Sequence, residues 1–254
     1  IFRYLVVRLG TERLDPEIKE RLANLRPPLI LSGWVMVSLG WVLLAYSLWA
    51  VLLGLGITGI DAIAHALETC VTTRRNPIST IFSHQAWLLL AANFPSVLTN
   101  GECLESRAAM QLGACLAGIA IENSMLGATH ALANPLSAHY GMTHGIAVGL
   151  MLPHVIRFNQ DCVGDIYAEL LDAAGLRRDA GETSAEALAG CIEGLRSDAG
   201  LPATLAECDI QDDLLDQLAV EAADQWTGKF NPKPVTVETL KELYQCASPR
   251  HSSC

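Results

Sequence analysis

The pattern of apolar and polar positions changes near residue 60. Beyond it, apolar side chains recur every three or four residues, as in 62–71, 81–94 and 108–125, which is typical of amphipathic helices. No alternating pattern typical of strands competes with this period. We therefore predict an all-α fold of about eight helices joined by short loops, with breaks at Pro77 and Pro95.

Signals for helix ends support this interpretation. Thr183 and Glu186 have the spacing of a capping box, and Thr236 is a candidate N-cap for the helix that follows it. Gly175 and Gly200 stand where helices are expected to end, because glycine readily adopts the left-handed conformation of a C-terminal turn.

The N-terminal part of the chain has a different composition. Residues 27–60 contain no charged side chain, and such a run is long enough to form a transmembrane helix. It could equally form a buried helix or hairpin, or stand in place of an upstream domain after a truncation or a change of reading frame. We therefore divide the chain into an atypical N-terminal segment, 1–56, and an all-helical domain, 57–254.

Composition excludes several classes of protein. Of the 254 residues, 51% are hydrophobic and 17% are charged, which is too apolar for a disordered chain. The net charge of -10 would repel a phosphate backbone, so we expect no nucleic-acid partner. The eight cysteines form no CxxC pair or regular framework, so we expect reduced thiols and a cytoplasmic location. The apolar run leaves a membrane-anchored form as the alternative.

Asp61 and His65 are the first candidates for chemistry. They lie four residues apart and therefore on the same face of a helix, where both could bind one ion. The simpler alternative is a hydrogen-bonded pair. Because apolar residues surround both side chains, each needs a partner if it is buried.

His130 and His144 are the second pair. In one continuous helix their Cα atoms would be about 21 Å apart, too far to share an ion. Pro135 and Gly141 can end the helix and turn the chain, so that His144 begins the next one. His139, between them, is a competing candidate but is better explained as a surface or interface imidazole in the connecting loop.

One carboxylate and three imidazoles would suit a divalent transition metal. Calcium and magnesium prefer shells of oxygen, so Fe²⁺ and Zn²⁺ are the leading candidates. Such an ion acts best as a Lewis acid on an oxygen atom.

Three stretches of the chain carry a family resemblance: GIDAIAHALET, GATHALANPLSAHYGMTHGIAVGLMLPHVIRFN and FNPKPVTVETLKELY. They resemble the helical C-terminal domain of the iron-containing (group III) alcohol dehydrogenases, from about Ile57 to Ala247. The resemblance implies oxidation of an alcohol to an aldehyde or ketone, with hydride transfer to NAD or NADP. It also implies a small-molecule substrate, a homo-oligomer, and a catalytic ferrous ion, sometimes replaced by zinc, on four ligands: Asp61, His65, His130 and His144.

The chain departs from this family in two ways. Asn134 stands where many members have a histidine near the nicotinamide, and an amide cannot carry a proton at neutral pH. The family also has an α/β dinucleotide-binding domain with a GGGS-type turn, whereas residues 1–56 show neither a glycine cluster nor a βαβ pattern. We therefore expect that domain to be absent and the chain by itself to be weakly active or inactive. The alternative is a non-redox metal-binding helical module, with or without a membrane anchor.

Overall fold

The computed structural model describes residues 56–210 and 212–248, and this part of the chain is helical and contains no strand. This confirms the predicted all-α fold class. The predicted apolar N-terminal segment lies outside the described residues, apart from its last few positions. The described part has nine α-helices: α1 (56–71), α2 (Pro77–Thr99), α3 (Leu104–Glu122), α4 (Ala128–Tyr140), α5 (His144–Phe158), α6 (Gln160–Ala173), α7 (Ser184–Asp198), α8 (Leu215–Asp224) and α9 (Val237–Cys246). Three short 3-10 helices accompany them: Ala206–Cys208, Asp212–Leu214 and Trp226–Phe230.

The capping signals in the sequence correspond to real helix ends. Thr183 accepts a hydrogen bond from the N–H of Glu186 at the start of α7, and Thr236 caps α9. Gly175 and Gly200 follow α6 and α7 with φ values of 68° and 66°, so both ends use the left-handed conformation that glycine adopts without strain.

Two predicted helix breaks are wrong. Pro95 lies inside α2 and Pro135 lies inside α4, so neither proline ends its helix. Each removes one backbone hydrogen bond, but burial of the adjoining apolar side chains stabilises the helix around it. Leu132 and Leu136 on α4, for example, are fully buried. Gly141, with φ of 61°, ends α4 as predicted.

Helix α1 lies within the hydrophobic core. Ile60, Ile63, Ala64 and Leu67 are at most 1% exposed, which explains why this stretch of sequence is so apolar. A helix that is hydrophobic on most of its surface is stable only when other helices surround it. Any polar side chain that α1 carries inward is therefore held in a rigid environment.

Glycines allow α5 to pack closely against α1. A Cβ atom added at Gly145 would lie 2.2 Å from the backbone oxygen of Ile57, and one at Gly149 would lie 2.9 Å from the Cγ2 of Ile60. Neither position has room for a larger side chain. This close packing brings the first residue of α5, His144, to the polar face of α1.

The described residues also give findings on helix length and on the cysteines. Among the described residues, no helix combines the length and apolarity that crossing a bilayer requires. Six cysteines in this part of the chain have free thiols, as expected, whereas Cys246 is disulfide-bonded. The expectation of reduced thiols is therefore wrong for Cys246.

Candidate metal centre

The four residues selected from the sequence meet at one point of the structure. Helix α1 presents Asp61 and His65 from successive turns, as their spacing predicts. His130 lies in the first turn of α4 and His144 is the first residue of α5. We call this group the Asp-His cluster; its members are Asp61, His65, His130 and His144.

The three imidazoles converge on one oxygen atom. The Nε2 atoms of His65, His130 and His144 lie 3.6, 3.5 and 3.7 Å from Oδ1 of Asp61. Donor atoms about 2.1 Å from one tetrahedral ion lie about 3.4 Å from one another, so these separations suit ligands of one metal. Ligand atoms of Asp61, His65 and His130 all lie within 4.8 Å of one another. His144 is not part of this closest group, and it approaches the group through Oδ1 of Asp61.

The imidazole rings are crowded. The rings of His65 and His130 are stacked, with their centroids 4.8 Å apart and their planes 21° from parallel. The ring centroids of His130 and His144 are 5.3 Å apart. Three protonated rings at these distances would repel one another strongly. The arrangement therefore favours mostly neutral imidazoles, the form in which histidine binds a metal.

Two buried polar atoms of the Asp-His cluster lack a hydrogen-bond partner among the described residues: Oδ1 of Asp61 and Nε2 of His130. They lie 3.5 Å apart, which is long for a hydrogen bond. A buried polar atom without a partner costs about 1–3 kcal/mol. A cation between them would satisfy both, so this part of the protein fits a metal ion.

The pKa values of the cluster agree with that interpretation. Burial alone would raise the pKa of Asp61, but His130 and the charges of the other two imidazoles hold it below its usual value. Burial lowers the pKa of His65 and of His144, and the charge of Asp61 opposes this shift only in part. At neutral pH the carboxylate is charged and these two imidazoles are neutral.

His130 differs from the other two histidines because a second carboxylate contacts it. Burial would lower its pKa, but the charge of Glu68 and contacts with Asp61 raise it to about 9. Nδ1 of His130 contacts Oε2 of Glu68, and both side chains are 5% exposed. The two carboxylates therefore favour positive charge at this imidazole, whether a proton or a metal ion supplies it.

Sequence reasoning missed Glu68. It lies three residues after His65 and seven after Asp61, so helical spacing alone places it on the same face of α1. That spacing was a usable signal. Its partners are on α4, however, and nothing in the local sequence indicates that contact.

The Asp-His cluster is buried at one end and open at the other. The side chain of His130 is 5% exposed, those of Asp61 and His65 are 24% and 26% exposed, and that of His144 is 40% exposed. An ion held here would be anchored at the buried end. A small molecule could approach it from the side of His144 and His65.

The two other candidate residues, Asn134 and His139, pair with side chains outside the Asp-His cluster. The side-chain amide of Asn134 donates to Oε1 of Gln225 at 2.9 Å. His139 lies in the last turn of α4 and not in the connecting loop, because α4 continues through Pro135; it pairs with Glu221 at 2.7 Å.

Comparison with known proteins identifies the family. The family model described as "Fe-containing alcohol dehydrogenase family, C-terminal" matches residues 56–248, about three quarters of the chain. The chain belongs to the Fe-containing alcohol dehydrogenase family. The family resemblance in the sequence is thereby confirmed, and the Asp-His cluster lies within the matched residues.

Related sequences and structures of this family agree. The chain is 29% identical over 192 residues to the NAD-dependent methanol dehydrogenase of Bacillus methanolicus, a match that covers 75% of this chain and 50% of the relative. It is 30% identical over 193 residues to the lactaldehyde reductase of Escherichia coli, with the same coverage. A crystal structure of 1,3-propanediol oxidoreductase superposes with a TM-score of 0.72 at 29% identity, over 76% of this chain and 51% of that one. The alcohol dehydrogenase from Oenococcus oeni gives a TM-score of 0.73, also at 29% identity and with the same coverage. The chain therefore spans about half the length of the relatives it matches.

Proposed function

We propose that this chain supplies the metal-binding part of an alcohol dehydrogenase that interconverts a small-molecule alcohol and its aldehyde or ketone, using NAD or NADP. The convergence of three imidazole nitrogens on Oδ1 of Asp61 carries the proposal. Family membership supports it, since the relatives include a methanol dehydrogenase and a lactaldehyde reductase.

The proposed ligands are the Asp-His cluster, with Fe²⁺ as the first candidate and Zn²⁺ as the alternative. One carboxylate and three imidazoles suit these ions better than calcium or magnesium. When bound, a divalent ion supplies Lewis-acid chemistry toward a substrate oxygen.

Each residue of the Asp-His cluster would contribute differently to binding the ion. Asp61, charged at neutral pH, offsets the charge of the ion, and neutral His65 and His144 offer lone pairs without first losing a proton. Buried His130 excludes water from the inner end of the cluster. The exposed edge of His144 leaves room for a small alcohol or aldehyde.

Asn134, which stands where many members of the family have a histidine, would not relay protons, because an amide does not carry a proton at neutral pH. Its amide donates to Gln225, which fixes the side chain and leaves its oxygen as an acceptor. We expect residues 1–254 alone to give little alcohol-dependent reduction of NAD or NADP, because no glycine-rich turn between a strand and a helix occurs among the described residues. Activity should appear when the chain is joined to an α/β dinucleotide-binding domain of a relative.

Metal analysis of the purified full chain tests the proposed ligands. We expect about one divalent transition metal per chain, and loss of tight binding in His144→Ala and His130→Ala. His144→Ala is the cleaner variant, because its side chain is the most exposed of the cluster. His139→Ala is the matched control, since this imidazole also pairs with a carboxylate but lies outside the cluster, and it should keep its metal.

Circular dichroism of each variant shows whether the helices remain formed. Full metal occupancy in folded His130→Ala and His144→Ala would refute the proposed ligand set.

A further inference from the structure

Glu68 joins α1 to the start of α4. Its side chain is 5% exposed, and Oε1 accepts a hydrogen bond of 2.7 Å from the backbone N–H of Thr129. Its other oxygen, Oε2, contacts Nδ1 of His130. One buried carboxylate therefore holds both the backbone and the imidazole of the first turn of α4.

The start of α4 needs such a partner. Its N-cap residue is Gly127, which has no side chain to accept the free N–H groups of the first turn. Asn231 accepts from the N–H of Ala128 at 3.3 Å, and Glu68 accepts from that of Thr129. A Cβ atom at Gly127 would lie 3.1 Å from an oxygen of each of these side chains, so its absence leaves them room. A negative charge is also favourable at a helix N-terminus.

The contact with His130 has a second consequence. An imidazole that donates its Nδ1–H to a carboxylate presents an unprotonated Nε2 to a metal, in a fixed ring orientation. Nε2 of His130 lies 3.5 Å from Oδ1 of Asp61, on the side of the ring away from Glu68. The carboxylate of Glu68 thus aims this ring at the centre of the Asp-His cluster.

We propose that Glu68 is a positioning residue for the metal centre, which fixes His130 with Nε2 directed toward Asp61. This inference rests on the proposed function, since it requires that the cluster bind a metal. Glu68 would not contact the ion itself, but it would affect how tightly the ion is bound, because it fixes the position of His130. The surface pair of His139 and Glu221 has the same chemistry, with an N–O distance of 2.7 Å, but contacts no member of the cluster.

The substitution Glu68→Gln tests the proposal in the full chain. The amide keeps the shape of the side chain but replaces one of its two oxygens by an NH₂ donor, so it cannot keep both the contact of Oε1 with Thr129 and that of Oε2 with His130. We expect the affinity for Zn²⁺, measured in competition with a chromophoric chelator, to fall about 10- to 100-fold. Glu221→Gln makes the same change in the surface pair and should leave the affinity unchanged.

Asn231→Ala separates positioning from helix capping. This variant removes the other cap of α4 but no contact with His130. We expect a lower midpoint of thermal unfolding with Zn²⁺ affinity within about threefold of the wild type. If Asn231→Ala weakens binding as much as Glu68→Gln, or if Glu68→Gln binds Zn²⁺ like the wild type, the positioning role is refuted.

A measurement on the unchanged protein covers the case in which Glu68→Gln does not fold. In the zinc-loaded wild-type chain, long-range ¹H–¹⁵N NMR spectra should place the remaining ring proton of His130 on Nδ1. A proton on Nε2 would overturn the inference while leaving metal binding intact. Failure of the wild-type chain to bind Zn²⁺ or Fe²⁺ would instead overturn the proposed function, and this inference with it.

Discussion

Replacing Gly145 by alanine tests whether the close packing of α5 on α1 positions the metal centre. The added Cβ atom would lie 2.2 Å from the backbone oxygen of Ile57, where an ordinary contact needs about 3.5 Å. The oxygen belongs to the backbone of α1 and cannot rotate away. The two helices must therefore separate by about 1 Å.

The size of the effect follows from this displacement. Overpacking a well-packed contact costs about 1–3 kcal/mol, and the better helix propensity of alanine offsets less than about 1 kcal/mol of it. We expect Gly145→Ala to lower the free energy of unfolding by about 1–2 kcal/mol. His144 is the adjacent residue, and a shift of 1 Å exceeds the roughly 0.2 Å tolerance of a metal-ligand distance. Zn²⁺ affinity should therefore fall by at least about tenfold.

Urea unfolding of the metal-free chain, followed by circular dichroism, measures the first effect, and chelator competition measures the second. The matched control is Gly190→Ala in α7, where the new Cβ would meet nothing within 4 Å. This exposed helical position should gain about 0.5–1 kcal/mol and keep its metal affinity. A Gly145→Ala variant that is as stable as the wild type, or that binds Zn²⁺ equally well, would show that close packing at this position does not hold His144 in place.

Two further predictions concern parts of the fold outside the Asp-His cluster. Burial, and then the charge of Arg157, lower the pKa of His154 from 6.5 to about 4. Between pH 6.5 and about 4 the unfolded chain binds the proton more readily than the folded chain, so the free energy of unfolding falls as the pH falls. His154→Gln should remove up to about 3 kcal/mol of that loss, as measured by urea titrations over this pH range. An unchanged pH dependence in the variant would contradict this. The hydroxyl of Tyr244 donates to the backbone oxygen of Leu132 at 2.6 Å, so Tyr244→Phe should cost about 1–2 kcal/mol. The hydroxyl of Tyr140 has no hydrogen-bond partner among the described residues, so Tyr140→Phe should be neutral or stabilising. Thermal unfolding measures both variants, and equal losses of stability would contradict the role of the Tyr244 hydroxyl.

Local signals in the sequence account for much of the fold and of the candidate site. The spacing of Asp61 and His65 predicts their shared face, because a helix repeats every 3.6 residues. Gly141 predicts the turn after α4, because glycine adopts the left-handed conformation of a helix end whatever packs around it. The same turn correctly places His144 at the start of α5.

Tertiary packing decides the features that the sequence did not reveal. Pro135 would break an isolated helix, but in α4 it is buried among other helices that stabilise the whole turn. Glu68 has no local partner, and its role depends on Thr129 and His130, which lie 61 and 62 positions away. A contact over that distance along the chain cannot be predicted from the residues next to Glu68.

The distance along the chain between Glu68 and His130 also has a consequence for folding. The Asp-His cluster exists only after α1 and α4 have met, and closing that loop has an entropic cost that the packed core must offset. Helices can form locally and early, so circular dichroism and metal binding should report different stages of refolding. An ion that binds only the native chain stabilises it by mass action, by about 2.7 kcal/mol at a concentration 100 times Kd. Metal uptake would thus report the docking of α1 against α4, and the bound ion would then stabilise the docked state.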